Sequence, residues 1–251
     1  MRKAGYTMYS FNSRVRYSEM NHNKQILDVS SIINYFQDCS TFQSEDLNRG
    51  VSYTLTNNKI WLLSSWQLQV LKPAHLGDFV TIGTWPYAFK GFYGYRNFIL
   101  KDDSDNVLAI ADSIWTYYDP EAAKPIKVLK DSTGYTLEPP YPMEHLDRKI
   151  SIPKQVTAGP SFPVVKSNID SYHHVNNGQY VKMAEEFLPD NFFISCMRVD
   201  YRMQAILGDI IIPLISKRID CYTIILADVS EKPYAIVEFY GKSVVKEQSI
   251  L

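Results

Sequence analysis

Cysteine is scarce in this chain: 3 in 251 residues, Cys39, Cys196 and Cys221, far apart and odd in number. That excludes a disulfide framework and shows no metal-ligand spacing. The cysteines read as small buried hydrophobes, and neither metal nor cofactor is expected. An excess of charge is missing too. Lys and Arg total 26 against 27 Asp and Glu, a net charge of −1, so nothing is available to displace counterions from nucleic acid. Long apolar runs are absent. The longest aliphatic stretch, Ile210 to Ile215, is interrupted by Pro213 and is too short to cross a bilayer. The opening M-R-K-A-G-Y-T-M-Y-S carries no apolar signal-peptide core. The expectation is a soluble cytoplasmic protein without nucleic-acid or membrane partners. Core material is plentiful, at 45% hydrophobic and 14% aromatic residues with 18 Tyr, enough for one large domain or two ordinary ones.

The densest chemistry lies in S-N-I-D-S-Y-H-H-V-N-N-G-Q, Ser167 to Gln179. Asp170, Tyr172, His173, His174, Asn176 and Asn177 fall within eight residues, and a helical pattern follows. Tyr180, Met183, Ala184, Phe187 and Leu188 repeat as one apolar helix face up to Pro189. A helix start presents unpaired N–H groups and partial positive charge, which suit a carbonyl oxygen that turns negative during reaction.

Upstream, residues 9–17 read as a strand. Asp28 reads as the N-cap of a helix whose apolar face is Val29, Ile32, Ile33, Phe36, Cys39 and Leu47. A polar loop around Asn57 and Asn58 precedes an alternating strand from Ile60 to Leu71. Strands are expected at Phe79–Trp85, Phe92–Leu100 and Val107–Tyr118, an α+β pattern with an antiparallel sheet. Between Asp119 and Pro163 lie 8 of the 13 prolines. Periodicity fades there, and the segment reads as a linker with a short helix near Glu121. The plan then repeats: a strand into Ser167, the motif, a helix to Leu188, a strand from Ile194 to Tyr201, and strands near 210–226 and 233–246.

The repeat has a register. Ser18 and Ser167, Asn21 and Asp170, and Ile26 and Val175 are each 149 apart, placing Gln25 opposite His174 and Asn23 opposite Tyr172. Leu76-Gly77-Asp78 recurs as Leu207-Gly208-Asp209 at spacing 131, so 18 residues are inserted between helix and strand of the first copy. Only the second copy is expected to keep titratable groups at its helix start. The units are residues 1–130, a linker at 131–160, and 161–251.

Asp170…His174-Val175-Asn176-Asn177, the L-G-D turn, Tyr17-Ser18-Glu19, Asn34-Tyr35-Phe36-Gln37-Asp38-Cys39 and Ser44-Glu45-Asp46-Leu47 together resemble bacterial-type acyl-acyl-carrier-protein (acyl-ACP) thioesterases over nearly the whole chain. The resemblance implies a double hotdog, in which each antiparallel sheet wraps a long helix. It also implies an N-terminal acyl-binding half and a C-terminal catalytic half. The family's site is Asp, Asn, His and Glu. Here the Asp is Asp170 and the His is His174, while Tyr172 stands at the Asn position and Gln204 at the Glu position. Ala205 stands where plant members have Cys. On the residues alone Asp170 reads first as a cap; the resemblance moves it to catalysis.

A thioester needs little equipment, because its leaving thiol has a pKa near about 8.5. A base for water, a polarised carbonyl and a channel for the chain suffice. Asp170 is the expected base, supported by His174, with Tyr172 and Gln204 orienting water or carbonyl. Asn176 and Asn177 would cap the helix and contact the pantetheine arm. Trp61, Trp66, Ile33 and Phe36 are candidates for the acyl channel, although core packing is the commoner role for each. Arg198, Arg202, Lys217 and Arg218 are candidates for meeting an acidic carrier protein. The expected activity is hydrolysis of fatty acyl-ACP in fatty acid biosynthesis, with acyl carrier protein as partner and a homodimer allowed. Acyl-CoA hydrolysis and a non-catalytic acyl-binding hotdog are the alternatives, and a hotdog dehydratase ranks third.

Overall fold

In the computed structural model, which describes residues 8–21, 25–129 and 133–243, Asp28 accepts a hydrogen bond from the Val29 N–H at 3.0 Å and starts helix α1, Val29–Asp46. Ahead of it lie strand β1, Tyr9–Arg14, and a 3-10 turn at Tyr17–Glu19. After it come a short helix α2, Val51–Asn57, and four long strands. These are β2, Ile60–Val70; β3, Phe79–Lys90; β4, Tyr93–Asp102; and β5, Val107–Asp119. Three two-residue strands follow, β6 Lys124–Pro125, β7 Thr157–Ala158 and β8 Phe162–Pro163. The second half has a 3-10 turn at Lys166–Asn168 and helix α3, Asn177–Glu185. Its strands are β9, Phe192–Tyr201; β10, Ile210–Arg218; β11, Cys221–Ala227; and β12, Pro233–Ser243.

All pairings run antiparallel in one sheet ordered β1-β3-β4-β5-β2-β9-β12-β11-β10-β7, with β6 on β5 and β8 on β10. The order reads as one half followed by its mirror image, joined where β2 meets β9 from Ser65–Asp200 to Gln69–Cys196. Helices α1 and α3 share a single core with the sheet. Ile33, Phe36 and Cys39 of α1 and Tyr180, Val181 and Ala184 of α3 are buried there, as their spacing requires. This is the double hotdog.

The duplication shows in matched hydrogen bonds. Val15 N–H donates to the Asp78 carbonyl and Gly77 N–H to that of Val15; Val164 and Asp209, Gly208 and Val164 repeat the pair, all at 2.8–3.0 Å. Gly77 and Gly208 hold φ of +87° and +90°, a conformation that favours glycine. Asn21 N–H donates to the Ile26 carbonyl as Asp170 N–H does to that of His174. His174 therefore matches Ile26, not Gln25, because the first loop is one residue longer. Asn23 lies outside the described residues.

Several details differ from the sequence expectations. Leu47 terminates α1 and is exposed rather than on its buried face. Residues 120–123 form a turn, not a helix, because the Asp119 carboxylate takes the Ala122 N–H and Ala123 adopts φ +49°. α3 ends at Glu185, and Phe187 and Leu188 continue in tight turns onto the 184 and 185 carbonyls. α2 was not anticipated, since its seven residues carry no clear periodicity.

The proline-rich segment is a strap across the outer face of the sheet. One register line crosses seven strands: Trp85, Asn97, Asp112, Gln67, Arg198, Glu238 and Thr223. The strap lies along it in order. Trp85 Nε1 donates to the Pro139 carbonyl, and Asn97 Oδ1 accepts from Tyr141 N–H. Gln67 bonds both the Glu144 carbonyl and the Leu146 N–H. Arg198 reaches the Asp147 carbonyl, and the Ile150 N–H reaches Asp200. Side chains of the sheet thus satisfy a backbone that has no ladder of its own. Arg198 and Arg218 share Glu238, and Arg202 bridges Asp200 and the Ile150 carbonyl, so these arginines already have anionic partners on this face.

Candidate active site

The loop entering α3 is closed by its own carboxylate. Asp170 Oδ1 accepts the N–H groups of Tyr172 and His174 at 2.8 and 3.3 Å, and His173 turns the chain at φ +64°. Asn176 then caps α3, its Oδ1 accepting Gly178 N–H at 2.8 Å, while its carbonyl takes Gln179 N–H. Among the described residues this leaves the Asn177 N–H as an unspent donor of the helix start. The Tyr201 hydroxyl holds the Asn177 carbonyl at 2.9 Å.

This corner opens into a cavity of about 750 Å³ that continues into the N-terminal half. Asp170, Tyr172, His174, Asn177 and Gln204 lie on its wall at one end, with Trp61 on its wall in the other half. The side chains of Asp170 and His174 do not bond each other; the carboxylate takes the backbone N–H of His174, and the imidazole Nδ1 is buried without a partner. The Tyr172 hydroxyl meets Thr54 Oγ1 of α2 at 2.8 Å, linking the two halves across the site. Gln204 is exposed at the rim.

Four expected site residues fall elsewhere. Ile33, Phe36 and Trp66 pack against one another and Phe98 in the closed core between α1 and the sheet; aromatic bulk is used there to fill, not to line. Asn176 caps α3 as the sequence led us to expect, but its side chain is off the cavity wall. In contrast, the Trp61 ring lies on Gly94, where a Cβ would approach within 2.9 Å, and beside Phe89 and Tyr117 at 6.0 and 4.8 Å.

The first half is less bare at its helix start than its sequence suggests. Asp28 sits there, and the half-buried Glu185 of α3 turns its carboxyl, with Oε2 fully buried, toward Asp28 and Ser30. Burial holds the Glu185 carboxyl well above the usual carboxylate range. The space at that corner is only about 30 Å³.

Three further wall residues escaped the sequence reading. Gln37 of α1 faces Asn177, its Oε1 3.5 Å from Asn177 Nδ2. Thr54 belongs to the unanticipated α2. Arg96 is 7% exposed; its Nη1 donates to Gln43 at 2.6 Å and Thr84 at 3.1 Å, and the guanidinium lies 5.0 Å over the Tyr135 ring. Burial lowers its pKa. Only Gln37 had a signal, as part of the N-Y-F-Q-D-C segment. Burial pushes the Cys39 thiol up to about 12 and that of Cys196 to about 11, far from nucleophilic thiolates. Among the described residues no cluster of His, Cys, Asp and Glu is placed to hold a metal, and no helix is long and apolar enough to cross a membrane.

The chain is 28% identical over 219 residues to oleoyl-acyl carrier protein thioesterase 1 of Arabidopsis thaliana chloroplasts, covering 78% of this chain and 60% of the relative. It is 24% identical over 202 residues to the chloroplastic acyl-[acyl-carrier-protein] hydrolase FATB1 of Cuphea viscosissima, covering 70% and 46%. The chain therefore spans about half to three-fifths of these relatives' lengths. Its fold matches the crystal structure of an acyl-ACP thioesterase from Bacteroides thetaiotaomicron with a TM-score of 0.83 at 17% identity, over 94% of this chain and 98% of that one. Residues 6–135 match the family model described as the acyl-ACP thioesterase N-terminal domain, and on that match, over more than half its length, the chain belongs to the acyl-ACP thioesterase family.

Proposed function

We propose that the protein hydrolyses fatty acyl-ACP thioesters to free fatty acid and holo-ACP, with residues 1–130 holding the chain and 161–251 carrying the chemistry. The observation that carries this reading is the single cavity joining Asp170, His174 and Asn177 to the aromatic wall around Trp61. Asp170 takes a proton from a water whose oxygen attacks the thioester carbonyl carbon. The carbonyl becomes an oxyanion beside the Asn177 N–H, where the helix start lowers its energy. The carbon–sulfur bond then breaks, and the pantetheine thiolate leaves and takes the proton from Asp170. His174 and Tyr172 shape the pocket in which the water sits, and Gln204 meets the pantetheine arm at the rim.

Purified protein incubated with acyl-ACP thioesters of graded chain length is expected to release free thiol. Asp170→Ala and His174→Ala, folded as the wild type is, are expected to lower kcat by at least about 10²-fold. A second reading, a non-catalytic acyl binder, is favoured by Tyr172 being tied to Thr54 where a water-orienting amide would serve hydrolysis. Tight acyl binding without thiol release at any chain length supports it. Parallel assays with acyl-CoA separate the two carriers.

A further inference from the structure

The two halves place their helices so that each helix start faces the body of the other helix. Asp28 caps α1 and Asn176 caps α3, 148 residues apart. The same separation relates Gln37 of α1 to Glu185 of α3. Glu185 faces the start of α1, and Gln37 faces the start of α3. The Glu185 corner is shut, with its carboxyl turned onto Asp28 and Ser30. The Gln37 corner is open and lies on the same cavity wall as Asp170, His174 and Asn177. With Oε1 turned to Asn177 Nδ2, the Gln37 Nε2 has no protein acceptor among the described residues.

We infer that Gln37 is a catalytic residue supplied by the N-terminal half: its Nε2 donates to the thioester carbonyl oxygen, which sits between it and the Asn177 N–H. This rests on the hydrolase reading and adds a second donor to the oxyanion site. An amide suits the position, because it accepts from Asn177 and still donates into the cavity. A carboxylate there, as in the shut corner, would face the developing negative charge and repel it.

The test compares wild type, Gln37→Ala and Gln37→Glu on the acyl-ACP that the wild type turns over fastest, reading kcat and KM between about pH 5 and pH 9. Losing one oxyanion donor is expected to lower kcat about 10²-fold with KM within about twofold. Gln37→Glu keeps the shape and serves if the Ala variant fails to fold. Its loss is expected to deepen as pH rises and to shrink at acid pH, where a protonated carboxyl donates again. Either variant keeping kcat within about threefold of wild type, or a Gln37→Glu loss that is flat with pH, overturns the assignment. No thiol release by wild type overturns the hydrolase reading and this one together; full activity in the variants beside an active wild type overturns this one alone.

Discussion

Asp112 lies near the middle of the polar row beneath the strap, and its ionisation is expected to make stability vary with pH. The residue is 7% exposed. Its Oδ1 accepts from Asn97 Nδ2 at 3.1 Å, and Oδ2 is 3.6 Å from His145 Nδ1 on the strap. Burial pushes the carboxyl up from 3.8 to about 6, opposed by the hydrogen bond from Tyr87 and the nearby imidazole of His145. The folded state therefore holds this proton more tightly than the unfolded chain does. The resulting stability is present in full below about pH 3.8 and is lost as pH rises through about 6. A displacement of that size corresponds to about 3 kcal/mol. Asp112→Asn keeps the shape and an acceptor for Asn97 but has no proton to lose. Urea unfolding of both proteins between about pH 4 and pH 7.5, followed by tryptophan fluorescence, is expected to show the difference in unfolding free energy moving by about 2–3 kcal/mol in favour of the variant. Parallel curves over that interval would refute the assignment of a costly buried carboxylate under the strap.

Trp61→Ala removes the ring that lies on Gly94 and is expected to shift the chain-length profile toward longer acyl groups. Each further sheltered methylene contributes up to about 0.8 kcal/mol, about fourfold in binding; an unchanged rank order of kcat/KM across chain lengths counts against Trp61 as part of the channel. Glu185→Gln addresses the shut corner. Because burial raises the Glu185 pKa in the folded state, the stability linked to its proton is full below the ordinary carboxylate pKa and falls as pH rises through the raised value. Melting temperatures of wild type are expected to decline more steeply than those of the variant from mildly acid to alkaline pH, and equal slopes contradict that reading.

What the chain order made legible was whatever repeats or alternates. The Asp28 cap, the apolar faces of α1 and α3, and the two L-G-D turns were visible because helix periodicity and glycine turns are local. The loop around Asp170 was legible as well, because its polar residues crowd into one stretch. The strap was not, because its hydrogen bonds go to Gln67, Asn97 and Arg198, far away in sequence and unremarkable on their strands. Trp66 and Trp61 show the same limit: two tryptophans on one strand, one in the closed core and one on the cavity wall. The bulge between Leu63 and Ser65 breaks the alternation that would have assigned their faces. Gln37 stood within a quoted motif, yet only its crossing opposite Asn177 gives it chemistry.

With the helices 148 apart and the L-G-D turns 131 apart, 17 extra residues lie between helix and strand of the first copy, and they explain why one corner is open and the other shut. α3 ends at Glu185, the counterpart of Gln37, whereas α1 continues to Asp46 and is followed by α2. The cavity wall beyond Gln37 is built from that extra chain: Ser40, Thr41 and Ser44 on α1, then Val51 and Thr54 on α2. At the opposite corner no such chain follows Glu185, Phe187 folds back onto the core, and the carboxyl closes on Asp28. Lengthening one helix of a duplicated pair thus walls a chamber beside the other helix's start. It converts a symmetric arrangement into one open corner and one shut corner, while the unlengthened copy leaves Glu185 where the chamber would have been.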